Sequence, residues 1–103
     1  MIYLIDIDGT ICLTPLDENG SSDYERSQPL RDRIKKINDL YESGHTIHYW
    51  TARGSATGID RSELTVRQMT EWGAKYHKLS LGKPVYDVWI DDKAINSEDF
   101  FDD

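Results

Sequence analysis

The stretch Tyr3-Leu-Ile-Asp-Ile-Asp-Gly-Thr10 constrains this chain more than any other. A short apolar run, Ile2 to Ile5, ends in Asp6, and Asp8, Gly9 and Thr10 follow at once. The run reads as a buried strand, and the Asp-Ile-Asp-Gly-Thr piece as the turn leaving its carboxyl end. In open α/β sheets, ligands bind in the crevice beyond those strand ends. An unpaired carboxylate buried there would cost several kcal/mol or take up a proton. A bound cation or a reacting group accounts for it better, although Asp-Gly is also the ordinary signature of a turn.

The remaining chain alternates in a way that suits such a sheet. Residues 13–28 are polar, with Pro15 and the turn pair Asn19-Gly20, and read as a loop or small hairpin flap over the strand end. Ser27-Gln-Pro29 opens a helix in which Leu30, Ile34, Ile37, Leu40 and Tyr41 form one apolar stripe ending at Gly44. Thr46 to Trp50 is a second strand, in which His48 reads as a packed or hydrogen-bonded strand residue. A small-residue loop, Ser55 to Ile59, leads to a second helix. Asp60 and Glu63 resemble its capping box, and Leu64, Val66, Met69 and Trp72 form its apolar stripe. His77 to Leu81 is a third strand, Gly82-Lys-Pro84 a turn, and Val85 to Ile90 a fourth strand ending in Asp91-Asp92. A short helix capped near Asn96 or Ser97 closes the chain. This order implies a single α/β domain over residues 1–103. Its sheet is mostly parallel, in strand order 3-2-1-4 with the first strand central, and its crossovers are right-handed.

Composition narrows the function classes. The 103 residues carry a net charge of −7, which argues against nucleic acid as the main partner. A single cysteine, Cys12, permits no internal disulfide and fits a reducing compartment. Between Ile11 and Leu13 it reads as a packed small side chain. No apolar run approaches the roughly 20 residues of a membrane helix, and no charged leader precedes an apolar core. The expected location is cytoplasmic.

Three strand ends carry polar chemistry: Asp6 with Asp8, Thr51 with Arg53, and Asp91 with Asp92. Lys83 lies just before the last strand. A parallel sheet would gather these on one edge. Four carboxylates repel one another unless a divalent cation sits among them. Oxygen-only ligands suit Mg²⁺, which is held by one or two carboxylates and a substrate phosphate. A Thr hydroxyl, a Lys ammonium and an Arg fork suit the remaining phosphate oxygens.

With these features in view, the sequence resembles the haloacid dehalogenase superfamily of phosphatases. Four ordered signatures carry the likeness: Asp6-Ile-Asp8-Gly-Thr10, Thr51, Lys83, and Ile90-Asp91-Asp92. The resemblance implies a Rossmann-like three-layer fold, with the flap as the only cover and no cap domain. It implies that Asp6 is the nucleophile that forms an aspartyl-phosphate and that Asp8 is the general acid and base. Asp8 would also touch the metal through its backbone carbonyl. Thr51 and Lys83 would hold the phosphoryl oxygens, Thr10 would help bind substrate as well as shape the turn with Gly9, and Asp6 would also be a metal ligand. Asp92 matches the direct Mg²⁺ ligand and Asp91 the ligand acting through water. An acidic residue at position 8 favours phosphate monoesters over carbon–halogen or carbon–phosphorus bonds.

Small relatives without a cap either act on large substrates or let a neighbouring subunit complete the pocket, so a homo-oligomer fits. The Thr51-Ala-Arg-Gly54 pattern looks most like proteins of sugar or polysaccharide metabolism. Two readings of Arg53 stand side by side: a clamp on a second anionic group of the substrate, or a structural partner of a nearby carboxylate. The reading from another class is a catalytically silent protein that keeps the fold to bind metal, phosphate or a partner.

Overall fold

The computed structural model describes residues 1–102. Its elements are β1 (Ile2–Ile5), β2 (Cys12–Leu13), β3 (Gln28–Pro29), α1 (Arg31–Glu42), β4 (Thr46–Trp50), α2 (Ser62–Glu71), β5 (Lys78–Ser80) and α3 (Ser97–Phe101), with one 3-10 turn at Tyr24–Arg26. Strands β1, β4 and β5 form a parallel sheet in the order β1-β4-β5, with Ile2 opposite Thr46 and His48 opposite Lys78. These are the expected first, second and third strands in the expected relation. His48 hydrogen-bonds Ser80 across the sheet, Nε2 to Oγ, at 2.9 Å, so it is the strand residue its setting suggested.

Alternation along the strands decides which face becomes core. Ile5, Ile47 and Tyr49 point one way and are buried, together with Ile7, Ile11, Ile34, Ile37, Met69, Trp72 and Phe101. Ile2 and Leu4 point the other way and stay 78% and 54% exposed. The connections β1–α1–β4 and β4–α2–β5 step across the sheet in one direction. Right-handed crossovers therefore put both helices on the same face. The architecture is two-layered, not the expected three, and one sheet face is left open among the described residues.

The order 3-2-1-4 is corrected as well, because residues 85–90 form no strand. Val85, Val88 and Ile90 are 65%, 74% and 93% exposed. The physical reason is the connection. A parallel strand must be reached by a crossover of about a dozen residues or more, and only residues 81–84 separate β5 from Val85. That turn is pinned at the sheet's carboxyl edge, where the Lys83 N–H donates to the Thr51 carbonyl (3.1 Å) and the Ser55 hydroxyl to the Lys83 carbonyl (2.8 Å). The chain continues over the surface instead, with Trp89 edge-on to Trp50 and to Tyr86. Strand β1 is thus an edge strand, not the central one.

The excursion after β1 is a hairpin. β2 pairs antiparallel with β3, and a further bridge joins Leu16 and Ser22. Pro29 lies in β3, ahead of the helix, where its missing N–H is tolerated on an edge. The Leu30 N–H extends this contact to the Ile11 carbonyl at 2.8 Å, and α1 begins at Arg31. At the start of α2 the expected Asp60–Glu63 box is absent. Asp60 accepts instead from the Ser62 N–H (2.9 Å) and hydroxyl (2.6 Å), with Arg61 at the cap position. Val66 faces outward, 46% exposed. The Asn96 side chain caps α3 by accepting from the Glu98 N–H at 2.9 Å.

Candidate active site

The turn after β1 is tightly built. Gly9 adopts φ +79°, a region that glycine enters freely. The Thr10 and Ile11 N–H groups both donate to the Ile7 carbonyl. This wraps the chain so that Asp6 and Asp8 leave the same strand end. Arg33 braces the turn from behind, its Nη1 donating to the Thr10 carbonyl at 3.0 Å and its guanidinium lying over Phe101.

Asp6 meets Lys83, with Nζ 3.5 Å from Oδ1, and accepts weakly from the Thr10 hydroxyl at 3.5 Å on Oδ2. Burial pushes its carboxyl above the ordinary carboxylate range, and the Lys83 charge only partly offsets this. Lys83 itself is buried, its ammonium lying over the rings of Tyr86 and Trp89. Thr51 is 1% exposed, and its hydroxyl accepts from the Arg53 N–H at 3.1 Å.

Asp8 is held more strongly. Arg53 forms a bidentate pair with it, Nε to Oδ2 and Nη2 to Oδ1, each at 2.9 Å. The Thr14 hydroxyl adds a bond to Oδ1 at 2.5 Å. Burial alone would raise this carboxyl, but the Arg53 and Thr14 contacts together outweigh it and hold it below the usual range. The Arg53 side chain is fully buried. Its remaining donors reach Gln68 Oε1 (2.6 Å), Ser27 Oγ (3.3 Å) and Thr65 Oγ1 (3.4 Å), and its plane lies 4.8 Å from the Tyr24 ring centre. One guanidinium therefore ties together the β1 turn, the hairpin, the β4 end and α2. Of the two readings of Arg53, this geometry is the structural partner of a carboxylate; its fork is spent and does not face a ligand.

Cys12 sits inside this network, its thiol within reach of Asp8. Burial first, and the Asp8 charge second, push it up to about 11, which makes it a packed, unreactive group as its apolar neighbours implied.

The structure thus brings together Asp6, Asp8, Thr10, Thr51, Arg53 and Lys83. It does not bring Asp91 and Asp92 to them. Both are exposed, and Asp91 is engaged locally by the Trp89 indole N–H (3.2 Å) and the Lys93 N–H (2.9 Å). No group of three His, Cys, Asp or Glu side chains among the described residues could hold a metal ion. The expected Mg²⁺ site takes Asp8 through its backbone carbonyl and needs Asp91 or Asp92 beside Asp6, and the carboxylates as placed do not form that group. The residues that sequence reasoning missed are Thr14, Ser27, Arg33, Thr65 and Gln68. Three of them carried a readable signal. Arg33 lies on the apolar stripe of α1, and Thr65 and Gln68 on that of α2, positions where a polar side chain needs a buried partner.

No family model and no curated protein matches the sequence. A solved crystal structure of a target protein from Vibrio cholerae is similar in fold, with a TM-score of 0.81 at 23% sequence identity. The likeness covers 97% of this chain and 86% of that one. It extends to the chain's path as a whole and is a likeness of fold alone.

Proposed function

We propose that this chain is a phosphohydrolase of the haloacid dehalogenase type, acting on a small phosphate monoester such as a sugar phosphate. The observation that carries the reading is the corner where Asp6, at a strand end, meets Lys83, whose N–H is held by the Thr51 carbonyl. A phosphate dianion drawn to the Lys83 ammonium would present its phosphorus to Asp6. One Asp6 oxygen attacks phosphorus, the ester oxygen leaves with the bonding pair, and an aspartyl-phosphate results. Water then attacks the same phosphorus, inorganic phosphate departs and the carboxylate is restored. Lys83 offsets the charge that gathers on the phosphoryl oxygens.

Asp8 is positioned by Arg53 and Thr14 and kept ionised, which suits the second step, where it takes a proton from water. The same clamp weakens it as the acid of the first step. Esters with good leaving groups, such as p-nitrophenyl phosphate, should therefore turn over faster than alkyl phosphates. Mg²⁺ belongs to the proposal on the resemblance alone, and no step above passes through it. No helix among the described residues is long and apolar enough to cross a membrane. Cytoplasmic residence, and a second subunit over the open site, are parts of the same proposal.

Two observations favour the silent alternative: the Arg53 clamp on Asp8 and the absence, among the described residues, of a carboxylate group that could hold a metal ion. Phosphate release from sugar phosphates, nucleotides and p-nitrophenyl phosphate, with and without Mg²⁺ and beside Asp6→Asn, separates the two. Release lost in the variant supports the phosphatase; silence with retained phosphate binding supports the binder.

A further inference from the structure

We infer that Arg61 forms a second anion subsite, so that the preferred ligand is a small phosphate monoester bearing another anionic group, a carboxylate or a second phosphate. The inference rests on the phosphate-binding corner proposed above and names what the rest of the ligand carries. Its starting point is a cavity of about 180 Å³ lined by Arg53, Gly54, Ser55, Gly58, Ile59, Asp60, Arg61, Leu81 and Gly82. The wall belongs to the same two turns that present Thr51 and Lys83. These turns are joined by the Lys83 N–H to the Thr51 carbonyl and by the Ser55 hydroxyl to the Lys83 carbonyl. A ligand with its phosphate at Lys83 would extend along this wall.

The cavity's two arginines differ in what they have left to offer. Arg53 is saturated by Asp8, Gln68, Ser27 and Thr65. Arg61 makes no hydrogen bond or ion pair through its guanidinium among the described residues, and its Nε is buried without a partner. Its plane instead rests 5.4 Å from the ring centre of Tyr24, the ring that also carries Arg53. Stacking fixes a guanidinium without using its outer N–H donors, which remain suited to a carboxylate or phosphate. The one carboxylate on the wall, Asp60, is already held by Ser62. Glycine fits the wall for a steric reason. A Cβ on Gly54 would lie 2.1 Å from the Ile59 carbonyl oxygen, so any side chain there would push apart the loop that carries Arg61. The volume suits one small charged group and a few carbons.

The test is calorimetric titration of the full chain carrying Asp6→Asn, in Mg²⁺, with glucose 1,6-bisphosphate and with glucose 6-phosphate. The bisphosphate should bind about tenfold to a hundredfold tighter, the range of a bidentate charged contact. Adding Arg61→Gln should collapse that margin to about one, and Arg61→Lys should restore part of it. Equal affinities in the parent, no binding of either ligand, or a margin that survives Arg61→Gln would each overturn the subsite. Turnover of p-nitrophenyl phosphate by the chain with Asp6 intact is measured in parallel. Its absence would remove the phosphatase reading while the titration still decides on Arg61.

Discussion

Two regions of this molecule carry acidic pairs after apolar runs, and they are built in opposite ways. Around Asp6 and Asp8, buried counter-charges meet the carboxylates and four elements meet on one guanidinium. Around Asp91 and Asp92, the apolar run before the acids is largely exposed, Trp89 alone reaching Trp50, and the acids' own hydrogen bonds among the described residues stay within the segment. The difference lies in connectivity. The first pair follows a strand that two crossover helices hold in place, whereas the second follows β5 by a turn too short to bring the chain back into the sheet. A carboxylate pair becomes a site only when the topology supplies its counter-charges.

The largest effect expected under this contrast is at Asp6. Asp6→Asn should reduce phosphate release to background and cost less stability than Asp8→Asn, because a neutral amide escapes the burial penalty on the Asp6 carboxyl while Lys83 gives up its carboxylate partner. Turnover that persists would remove Asp6 as the nucleophile. Asp8→Asn should cost both properties. The rate should fall by roughly 10²–10⁴-fold, and urea unfolding should show a loss of about 3–5 kcal/mol, because Arg53 is left buried and unpaired. The sign with pH is fixed by the lowered Asp8 carboxyl. The stability it contributes is present above the ordinary carboxylate pKa and disappears as pH falls through its depressed folded value. The gap between parent and variant should therefore close in strong acid. A gap independent of pH would mean that the loss comes from packing.

A smaller effect is expected at Lys83. Lys83 lowers the Asp6 carboxyl against the upward push of burial, so Lys83→Met should move the acid limb of kcat/KM to higher pH as well as weaken phosphate binding. An unmoved limb would detach Lys83 from Asp6. The smallest change belongs to the exposed region. With the segment as placed, Asp91→Asn and Asp92→Asn should alter phosphate release by less than about twofold, within the range of an ordinary surface substitution. If both abolish release, residues 85–92 join the corner during turnover and the contrast between the regions dissolves.

Periodicity made much of the fold readable. The alternation in Thr46–Trp50 and the 3.6-residue stripe through Ile34 and Ile37 state which side faces the core, and both were legible. Val85 to Ile90 misled because its composition is that of a strand, while strand formation depends on how the chain arrives. The residue types of the corner were legible because strand ends in a parallel sheet share an edge. The bond between Arg53 and Asp8 was not, because it spans 45 residues and nothing local specifies which carboxylate an arginine will find. The layer count failed for a related reason. It needed a fourth strand on the far side of β1 to reverse the direction of winding.

The open edge of β1 also shapes how the protein behaves in bulk solution. Ile2 and Leu4 stand beside unpaired backbone groups, the arrangement that templates strand-to-strand adhesion between molecules. What opposes adhesion is mutual repulsion from the net charge of −7. Salt shortens the reach of that repulsion to about 10 Å at 0.1 M. Light scattering should therefore rise with ionic strength, and a lysine at position 4 should flatten the response.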